Sequence, residues 1–290
     1  IIHPGGMTRY FNGVISSFKH CGLDSAFAYY KAEMVPALWL LSLSRQREIF
    51  QNQTSVQIIE SILTDHSITF QKKLKGTYDV REYCVQYDET PLDFISRLME
   101  QEGIFYYFTF SASGHTMVLG DDPTAHTDCA GASLSYRGRS DNHNLPDSVL
   151  RFEAGGQLVT QGYAGNDYDY TQPSTSLAGS AAGATGRGTI YDYPHLRASV
   201  AGGKKLLGLQ VQASQADATN ASGESVCNSL YAGGAFTLAD HPNAKLNARY
   251  ALRSVTHRAN GAAYSNHFEA FTATTRSEER RVGKECLRLC

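Results

Sequence analysis

The sequence predicts a mainly β protein with a middle part in which a helix and strands alternate. Residues 78–110 read as a strand, a helix with signals at both of its ends, and a second strand, with almost no connecting residues. Residues 232–238, 250–257 and 264–271 are alternating or aromatic segments that turn residues separate, which is typical of a sheet of antiparallel strands. We therefore expect an α+β middle part followed by a β-domain.

Length and composition set the limits of this interpretation. A chain of 290 residues is long enough for about two domains. With 42% hydrophobic and 19% charged residues, its composition is typical of a globular protein. The formal charge of −2 offers no general attraction to nucleic acid, and the longest apolar run, residues 37–41, is far too short to span a bilayer. We expect neither a nucleic-acid partner nor a membrane anchor.

The first predicted elements are strands. Residues 9–18 are strand-like, with Gly13 at a position that suits a β-bulge, and residues 28–35 form a second strand. Residues 37–43 contain Trp39, the only tryptophan. We interpret Trp39 as a core anchor, because aromatic side chains bury a large area.

A helix is predicted directly afterwards. Thr54 and Gln57 have the spacing of a capping box, in which the threonine hydroxyl accepts from a backbone N–H and the glutamine side chain reaches back. The apolar residues that follow recur on one side of a helix: Ile58, Ile59, Ile62 and Leu63. We expect this helix to face the core.

The strand of residues 78–87 leads into a second helix. Thr90 suits the N-cap position, Pro91 suits the first helical position, and Gly103 suits the residue after the helix, where φ is positive. The apolar stripe of this helix consists of Leu92, Phe94, Ile95, Leu98 and Met99. Burial of each such side chain stabilises the fold by roughly 1.5–3 kcal/mol before the loss of conformational entropy is subtracted. A helix cap contributes only about 1 kcal/mol. Packing is therefore expected to hold this helix in place.

A hairpin and an acidic pair come next. Residues 104–110 and 115–120 are predicted strands, joined by a four-residue loop at 111–114. Asp121 and Asp122 allow two interpretations, a cation or catalytic carboxylate site and a solvated turn. Both chemistries need further oxygen ligands or a pocket, so we favour the turn.

The next part of the chain alternates between strands and small residues. Residues 141–160 contain short strands, of which 148–153 is the clearest. Residues 179–188 are rich in glycine and predict a flexible loop or linker, and residues 201–215 are a candidate helix. Four tyrosines flank the glycine-rich segment and suit either a protein interface or the filling of an edge strand: Tyr168, Tyr170, Tyr191 and Tyr193. Both interpretations remain open.

Two glycine-containing segments invite a nucleotide-binding interpretation, and both fail. Gly202-Gly203-Lys204-Lys205 has the Gly-Lys pair of a phosphate-binding loop, but Ala198 replaces the first glycine and Lys205 replaces the Ser or Thr. Gly186-Arg187-Gly188 lacks the third glycine of a dinucleotide loop, because Tyr191 stands there. The sequence also has no G-x-S-x-G segment, the motif that indicates a nucleophilic serine on a strained turn.

The residues that most often bind metals are dispersed. The ten histidines form no H-E-x-x-H motif, and we interpret His241 and His257 as structural hydrogen-bonding residues. The six cysteines form no C-x-x-C pair, so reduced thiols are expected rather than a zinc site or a disulfide framework. We expect no catalytic, cofactor-binding or metal-ligating residue, no cofactor and no enzymatic activity.

One ordered set of residues carries a family resemblance. In the middle part it consists of 81–87, Glu89-Thr90, Phe94-Ile95, Arg97-Leu98, Glu100 and 102–108. In the β-domain it consists of Gly233-Gly234, Phe236, Leu238, His241-Pro242, Tyr250, Ser254-Val255, His257, Asn266 and Phe268. This pattern resembles the VgrG family, the tip or spike proteins of the bacterial type VI secretion system. The likeness runs from about Arg9 to Ala273.

The resemblance implies a fold like that of a phage tail hub, with two small β-barrels and an α/β subdomain. The domain boundaries it implies are the remainder of a first hub barrel at 1–50, an α/β middle subdomain at 51–122, strands returning to the first barrel at 123–170, a second hub barrel with a glycine-rich loop at 171–275, and a non-native tail at 276–290. The tail is highly charged and reads like translated sequencing-adapter DNA or a charged C-terminal segment.

The resemblance also implies a mechanical function. It implies that three chains form a hub that caps the secreted tube, helps to puncture target envelopes and delivers effectors. The implied partners are two further copies of the chain, the hexameric tail-tube protein (Hcp) and baseplate proteins, with a PAAR tip and effectors held through C-terminal parts. The protein is expected in the cytoplasm during assembly and outside the cell after secretion. The alternatives are a baseplate hub of a contractile phage tail and a wall-degrading effector enzyme.

The ends of the chain carry a further expectation. Residue 1 is not methionine, and the family's neck and needle would follow the hub, so the sequence is expected to be a piece of a longer protein. We expect such a piece to behave as a poorly closed or aggregating part of the hub rather than as a clean trimer.

Overall fold

The computed structural model describes residues 8–138, 147–194, 199–260 and 263–274, and the backbone of residues 284–289. The described chain falls into two compact units. The first contains the chain up to Lys72 together with Thr77–Leu98 and Phe108–Leu119. The second contains Lys73–Gly76, Met99–Tyr107 and the described residues from Gly120 onward. The expectations for residues 1–6, for 141–146 and for most of the tail lie outside the described residues.

As far as residue 120, the elements of the described chain are β1 (Val14–Leu23), β2 (Ala28–Val35), β3 (Gln46–Thr54), α1 (Ser55–Asp65), β4 (Phe70–Lys73), β5 (Val80–Glu89), α2 (Pro91–Glu102), β6 (Phe105–Ser111) and β7 (Gly114–Gly120). Strands β1 and β2 form an antiparallel pair, which we call the ribbon, and β3 and β5 form a second antiparallel pair. A three-stranded sheet has the order β4-β7-β6. The strand predicted at 28–35 is confirmed, whereas β1 begins at Val14 rather than Arg9.

The apolar segment after the ribbon forms a 3₁₀-helix, Ala37–Ser42. Leu38 and Leu41 are buried in it, while Trp39 is only partly buried. With three residues per turn, residues 38 and 41 lie on one side of such a helix and residue 39 on another. The two leucines, and not Trp39, are therefore the main anchors of this segment.

The predicted cap of α1 is present in full. The Gln57 backbone N–H donates to the Thr54 hydroxyl at 3.2 Å, and the Thr54 N–H donates to the Gln57 side-chain oxygen at 2.8 Å. The four predicted apolar residues are all buried: Ile58, Ile59, Ile62 and Leu63. The capping box and the core-facing stripe are confirmed.

Helix α2 also begins and ends as predicted. The Asp93 backbone N–H donates to the Thr90 hydroxyl at 3.1 Å, and Gly103 has a φ of 70° just after the last helical residue. The residues of its buried face are Phe94, Ile95, Leu98 and Met99. Leu92 is only partly buried, so the observed face is narrower than the predicted stripe.

The β6–β7 connection is tighter than the predicted four-residue loop. Strand β6 continues to Ser111 and β7 begins at Gly114, which leaves two residues between them. The Ser111 hydroxyl donates to the Gly114 carbonyl at 3.2 Å and thereby closes the turn.

From residue 120, the elements of the described chain are β8 (Asp128–Tyr136), β9 (Ser148–Gly156), β10 (Gly162–Gly165), β11 (Gly179–Ala182), β12 (Thr189–Asp192), α3 (Val200–Ala218), β13 (Thr219–Ser225), β14 (Ala235–Ala239), β15 (Arg249–Asn260), β16 (Ala263–Thr272) and β17 (Lys284–Leu289). Six of these strands close a barrel in the order β14-β8-β9-β13-β16-β15, because β14 also pairs with β15. Strand β17 pairs in parallel with β15.

The barrel differs from the predicted antiparallel sheet in two ways. The β14–β8 and β8–β9 pairs are parallel, whereas the other four pairs are antiparallel. It also combines β8 and β9, from the range 123–170, with four strands of the range 171–275, which the implied boundaries assigned to different barrels. The pairing of distant strands is not visible in local alternation, which explains both differences. At the other end of the chain, the range 1–50 contributes the ribbon, a two-stranded sheet.

The glycine-rich segment is more ordered than a flexible loop. Strand β11 pairs with β10, and β12 pairs in parallel with β10 on its other side. The Gln215 side chain, on α3, accepts from the Thr185 N–H at 3.1 Å and donates to the Thr185 carbonyl at 2.8 Å. The predicted helix at 201–215 is confirmed as α3, whose first turn is capped by the Ser199 hydroxyl.

Two simpler expectations concern thiols and membranes. The four cysteines whose side chains are described are free: Cys21, Cys84, Cys129 and Cys227. Within the described ranges, no helix combines the length and the apolar character needed to cross a bilayer.

Candidate functional site

The interior of the closed barrel is filled with side chains. Its buried residues include Phe152, Phe236, Tyr250, Leu252, Val255 and Phe268. The rings interlock at distances typical of packed aromatic pairs, 5.0 Å between Phe152 and Tyr250 and 5.3 Å between Phe236 and Phe268. A barrel whose interior is packed with side chains resists deformation.

One polar cluster is buried among these strands. The Ser225 hydroxyl donates to the Asn266 side-chain oxygen at 2.8 Å, and the Asn266 amide donates to the Cys227 carbonyl at 2.6 Å and to the Tyr264 oxygen at 3.0 Å. Tyr264 in turn lies 2.5 Å from Nδ1 of the fully buried His257. The cluster joins β13, β15 and β16 and leaves the Asn266 amide satisfied.

This cluster contains a serine, a cysteine and a histidine, which are residue types of catalytic sites. Its serine and cysteine are nevertheless not activated as nucleophiles. The proton of Ser225 goes to an amide oxygen, which is not a base. Burial raises the pKa of the Cys227 thiol to about 11, so a nucleophilic thiolate is scarce at neutral pH. The geometry therefore favours a structural role for these residues.

A second buried polar residue, His126, lies between aromatic rings. Its ring stacks on Phe105 at 4.7 Å and meets the edge of Phe271 at 5.8 Å. Its Nδ1 lies 2.9 Å from the Gly233 carbonyl, so Nδ1 carries the proton and donates. Nε2 has no hydrogen-bond partner among the described residues, and burial lowers the pKa of His126. The ring is therefore neutral and part of the core at neutral pH.

The acidic pair is not the solvated turn that the sequence predicted. Asp121 is buried and accepts from the N–H groups of Lys75 at 2.8 Å and Gly76 at 2.6 Å. Asp122 caps a short 3₁₀-helix by accepting from the Thr124 N–H and hydroxyl, and these bonds, with Lys75, lower the pKa of Asp122 to about 2. The segment 73–76 supplies donors that local sequence does not reveal.

The other sequence candidates are also held in structural contacts. The segment 202–205 lies at the start of α3, where Lys205 Nζ is 3.1 Å from the buried Glu102 carboxylate. His241 accepts from the Asn243 N–H at 3.1 Å, and its ring lies 4.5 Å from that of Tyr136. The described residues contain no group of three or more His, Cys, Asp or Glu placed to hold a metal ion.

The four tyrosines near the glycine-rich segment lie on the surface. Tyr168, Tyr170, Tyr191 and Tyr193 are each more than half exposed. Tyr191 belongs to β12, which is an edge strand of its three-stranded sheet. This exposure favours the interface interpretation over the filling of an edge.

Sequence reasoning missed three features: the stacked His126, the Asn266 cluster and the exposed apolar face of the ribbon. The first two depend on contacts between residues far apart in the chain, for which local sequence has no signal. The third had a partial signal, since β2 has an apolar residue at every second position, whereas two register shifts break the alternation in β1.

Comparison with known proteins places this architecture in a class. Residues 1–263 match the family model described as phage tail baseplate hub (GPD). The chain therefore belongs to this family of tail-hub proteins.

The curated relatives narrow the class. The chain is 32% identical over 261 residues to the type VI secretion system spike protein VgrG1c of Pseudomonas aeruginosa, covering 88% of this chain and 36% of that protein. It is 32% identical over 274 residues to VgrG5 of the same organism, covering 89% and 33%. The VgrG resemblance is thus confirmed, and the chain spans about a third of the length of these relatives.

Solved structures share the fold. The E. coli c3393 protein, described as a component of the type VI secretion system with structural similarity to phage T4 tail proteins, superposes with a TM-score of 0.64 at 22% identity, covering 93% of this chain and 62% of that one. A tail protein of Neisseria meningitidis superposes with a TM-score of 0.63 at 10% identity, covering 91% and 82%. The hub-like, mainly β fold predicted from the sequence is confirmed.

Proposed function

We propose that the chain is the hub part of a type VI secretion spike, in which three copies cap the hexameric tail-tube protein. A contracting sheath drives the tube, and the capped tip is pushed through the target envelope with its effectors. In a longer protein, C-terminal parts hold the PAAR tip and the effectors, and the hub contacts the baseplate. The protein assembles in the cytoplasm and leaves the cell with the tube.

The observation that carries this proposal is the solid, closed barrel in a chain of the tail-hub family. A part that transmits force needs a wall that resists deformation, and a closed sheet with a packed interior provides one. The VgrG relatives are spike proteins of the same secretion system, which favours this role over that of a phage tail hub.

The proposal is mechanical and not enzymatic. The Ser225 hydroxyl of the barrel cluster donates to an amide oxygen, and burial raises the pKa of the Cys227 thiol to about 11, so neither group is activated as a nucleophile at neutral pH. We infer that the hub makes and breaks no bond in a substrate, so the purified chain is expected to leave peptidoglycan intact.

The test is binding to tube ends. Tubes of the hexameric tail-tube protein are sedimented with the chain, both intact and after shearing at constant mass. The account predicts that bound chain rises in proportion to the number of ends. Binding along the tube wall, or no binding, would contradict it, and tighter binding to contractile phage tail tubes would favour the phage alternative.

A further inference from the structure

Both ends of the ribbon are bound to the same connection between strands. Before β1, the Asn12 side-chain amide donates to the Ser111 carbonyl at 2.7 Å and to the Gly114 carbonyl at 3.0 Å. After β2, the Ala37 backbone N–H donates to Nε2 of His115 at 3.0 Å. Ser111, Gly114 and His115 lie at the β6–β7 connection, in the same compact unit as the ribbon. This connection therefore holds the base of the ribbon at two points.

His115 caps the 3₁₀-helix that follows the ribbon. Ala37 is the first residue of that helix, and the residue at the N-cap position, Pro36, makes no side-chain hydrogen bond. A proline side chain has no acceptor for the N–H groups at the start of a helix. The acceptor comes instead from a histidine 78 residues further along the chain.

The chemistry of this contact fixes the protonation state of His115. A backbone N–H can only donate, so Nε2 must be the unprotonated nitrogen of a neutral ring. An imidazolium carries an N–H on both nitrogens and has no acceptor left. It would also place a positive charge beside backbone N–H groups that already carry partial positive charge. The contact therefore exists only while His115 is neutral.

Burial favours the neutral ring. The His115 ring is partly buried, and its centre lies 5.8 Å from that of Phe108 and 6.1 Å from that of Phe110. Loss of solvation lowers the pKa of His115 below its ordinary value of 6.5. The contact is therefore fully present above pH 6.5 and is lost as the pH falls through the lowered pKa.

The elements around His115 place no carboxylate or cation of their own at this position. Strands β6 and β7 and the 3₁₀-helix contain only Tyr106, Tyr107 and His115 as titratable residues. Titratable residues of the adjoining elements have contacts of their own: His66 with the Ile62 carbonyl, Lys72 with Glu60, Lys73 with the Tyr107 hydroxyl, Arg9 with the Phe11 ring, and Glu33 opposite Ser17. Burial is thus the cause that sets the protonation of His115.

We propose that His115 is a proton-sensitive latch at the base of the ribbon. In its neutral form it caps the 3₁₀-helix and fixes the second end of the ribbon, and in its protonated form it releases that end. The Asn12 amide does not titrate, so it keeps the first end in place. Leu38 and Leu41 stay buried, so the release loosens the ribbon without unfolding the unit. The latch gives the hub a conformational response to acid that its mechanical role does not include.

The first test follows amide hydrogen exchange in the full chain between pH 7.5 and pH 4.5. Protection factors, which correct for the intrinsic pH dependence of exchange, are compared for residues 37–43 and for α1. Helix α1 is the internal reference, because Thr54 and Gln57 cap it and neither residue titrates. We expect protection at 37–43 to fall about tenfold or more, since each pH unit below the pKa shifts the equilibrium by up to about tenfold. An equal fall in both segments, or none at 37–43, would overturn the proposal.

The second test removes the titration and the acceptor separately. His115→Gln offers a side-chain oxygen that accepts at every pH, and His115→Phe keeps a ring beside Phe108 and Phe110 but cannot accept. We expect protection at 37–43 to be independent of pH in both variants, high in His115→Gln and low in His115→Phe. His126→Phe, which removes a different buried histidine, is the matched control and should retain the response of the parent. A response like that of the parent in His115→Gln or His115→Phe would contradict the latch.

A third measurement needs no variant and remains decisive if the substitutions impair folding. Nitrogen NMR of the parent chain, with its histidines labelled and assigned through their own backbone signals, reports which ring nitrogen of His115 carries a proton. We expect a proton on Nδ1 alone at pH 7.5 and on both nitrogens in acid. A proton on Nε2 at pH 7.5 would overturn the proposal, because that nitrogen could not then accept from Ala37.

Discussion

Gly233 lies against the ring of Tyr107 in a conformation that favours glycine. Its φ is 89°, and a Cβ at this position would lie 2.2 Å from Tyr107 Cγ. Its carbonyl also accepts the proton of His126. Both the backbone conformation and the close approach therefore depend on the missing side chain.

We predict that Gly233→Ala destabilises the protein by roughly 2–5 kcal/mol, from positive-φ strain plus overpacking. Gly188→Ala is the matched control, because Gly188 has a φ of 80° but nothing within 4 Å of its Cβ position. It should show the strain alone, roughly 1–2 kcal/mol. Urea unfolding measures both, and equal losses would contradict the crowding at Tyr107.

His126 makes the fold sensitive to acid. Burial lowers the pKa of its ring below the ordinary value of 6.5 and outweighs the hydrogen bond to the Gly233 carbonyl, which acts in the opposite direction. The nearby charges of Arg249 and Lys73 lower the pKa further. Below about pH 6.5 the unfolded chain therefore binds a proton that the folded chain does not. Stability falls as the pH falls, by up to about 1.4 kcal/mol per pH unit from this group.

His126→Phe keeps an aromatic ring between Phe105 and Phe271 but cannot be protonated. We predict that it is less stable than the parent at pH 7.5, because the Gly233 carbonyl loses its donor, and that its stability declines less steeply between pH 6.5 and 5. Urea unfolding at a series of pH values tests this. Parallel pH profiles for the two proteins would show that His126 contributes nothing to the acid sensitivity.

At the scale of single residues, the sequence predicts what is local. Thr90 and Gly103 were recognised because a helix cap depends on residues a few positions apart. The environments of His126 and Asp121 were not, because their partners are Gly233 and the segment 73–76, far away in the chain.

At the scale of elements, α1 offers a direct test of capping. Thr54→Ala removes the hydroxyl that caps the helix and is expected to destabilise the protein by about 1 kcal/mol. Thr64→Ala is the control on the same helix, because the Thr64 hydroxyl only donates back to the Glu60 carbonyl near the C-terminal end. Its effect should be within about 0.5 kcal/mol. Equal changes in the urea midpoint would argue against the capping box.

The positions of helices and strands were predictable where the apolar residues of the sequence pattern are also the ones that the fold buries or places on one face. Strand β2 and both capped helices have the expected positions. The glycine-rich segment is more ordered than its composition predicts. Its order comes from pairing with β10 and from the Gln215 side chain, and the composition of 179–188 indicates neither contact.

At the scale of the whole molecule, local sequence patterns do not predict that the barrel closes. It depends on β14 pairing in parallel with β8 and antiparallel with β15. Alternation identifies which residues face a core, but it does not say which strands are neighbours or where a sheet closes. The family resemblance supplied the hub-like fold that alternation alone did not.

We propose that this chain is a structural wall of a threefold cap on a sixfold tube. Electron cryomicroscopy of tail-tube ends decorated with the chain tests it most directly. The account predicts three copies at each decorated end. Decorated ends that carry a single copy, or tubes whose ends stay bare at saturating concentrations of the chain, would contradict it.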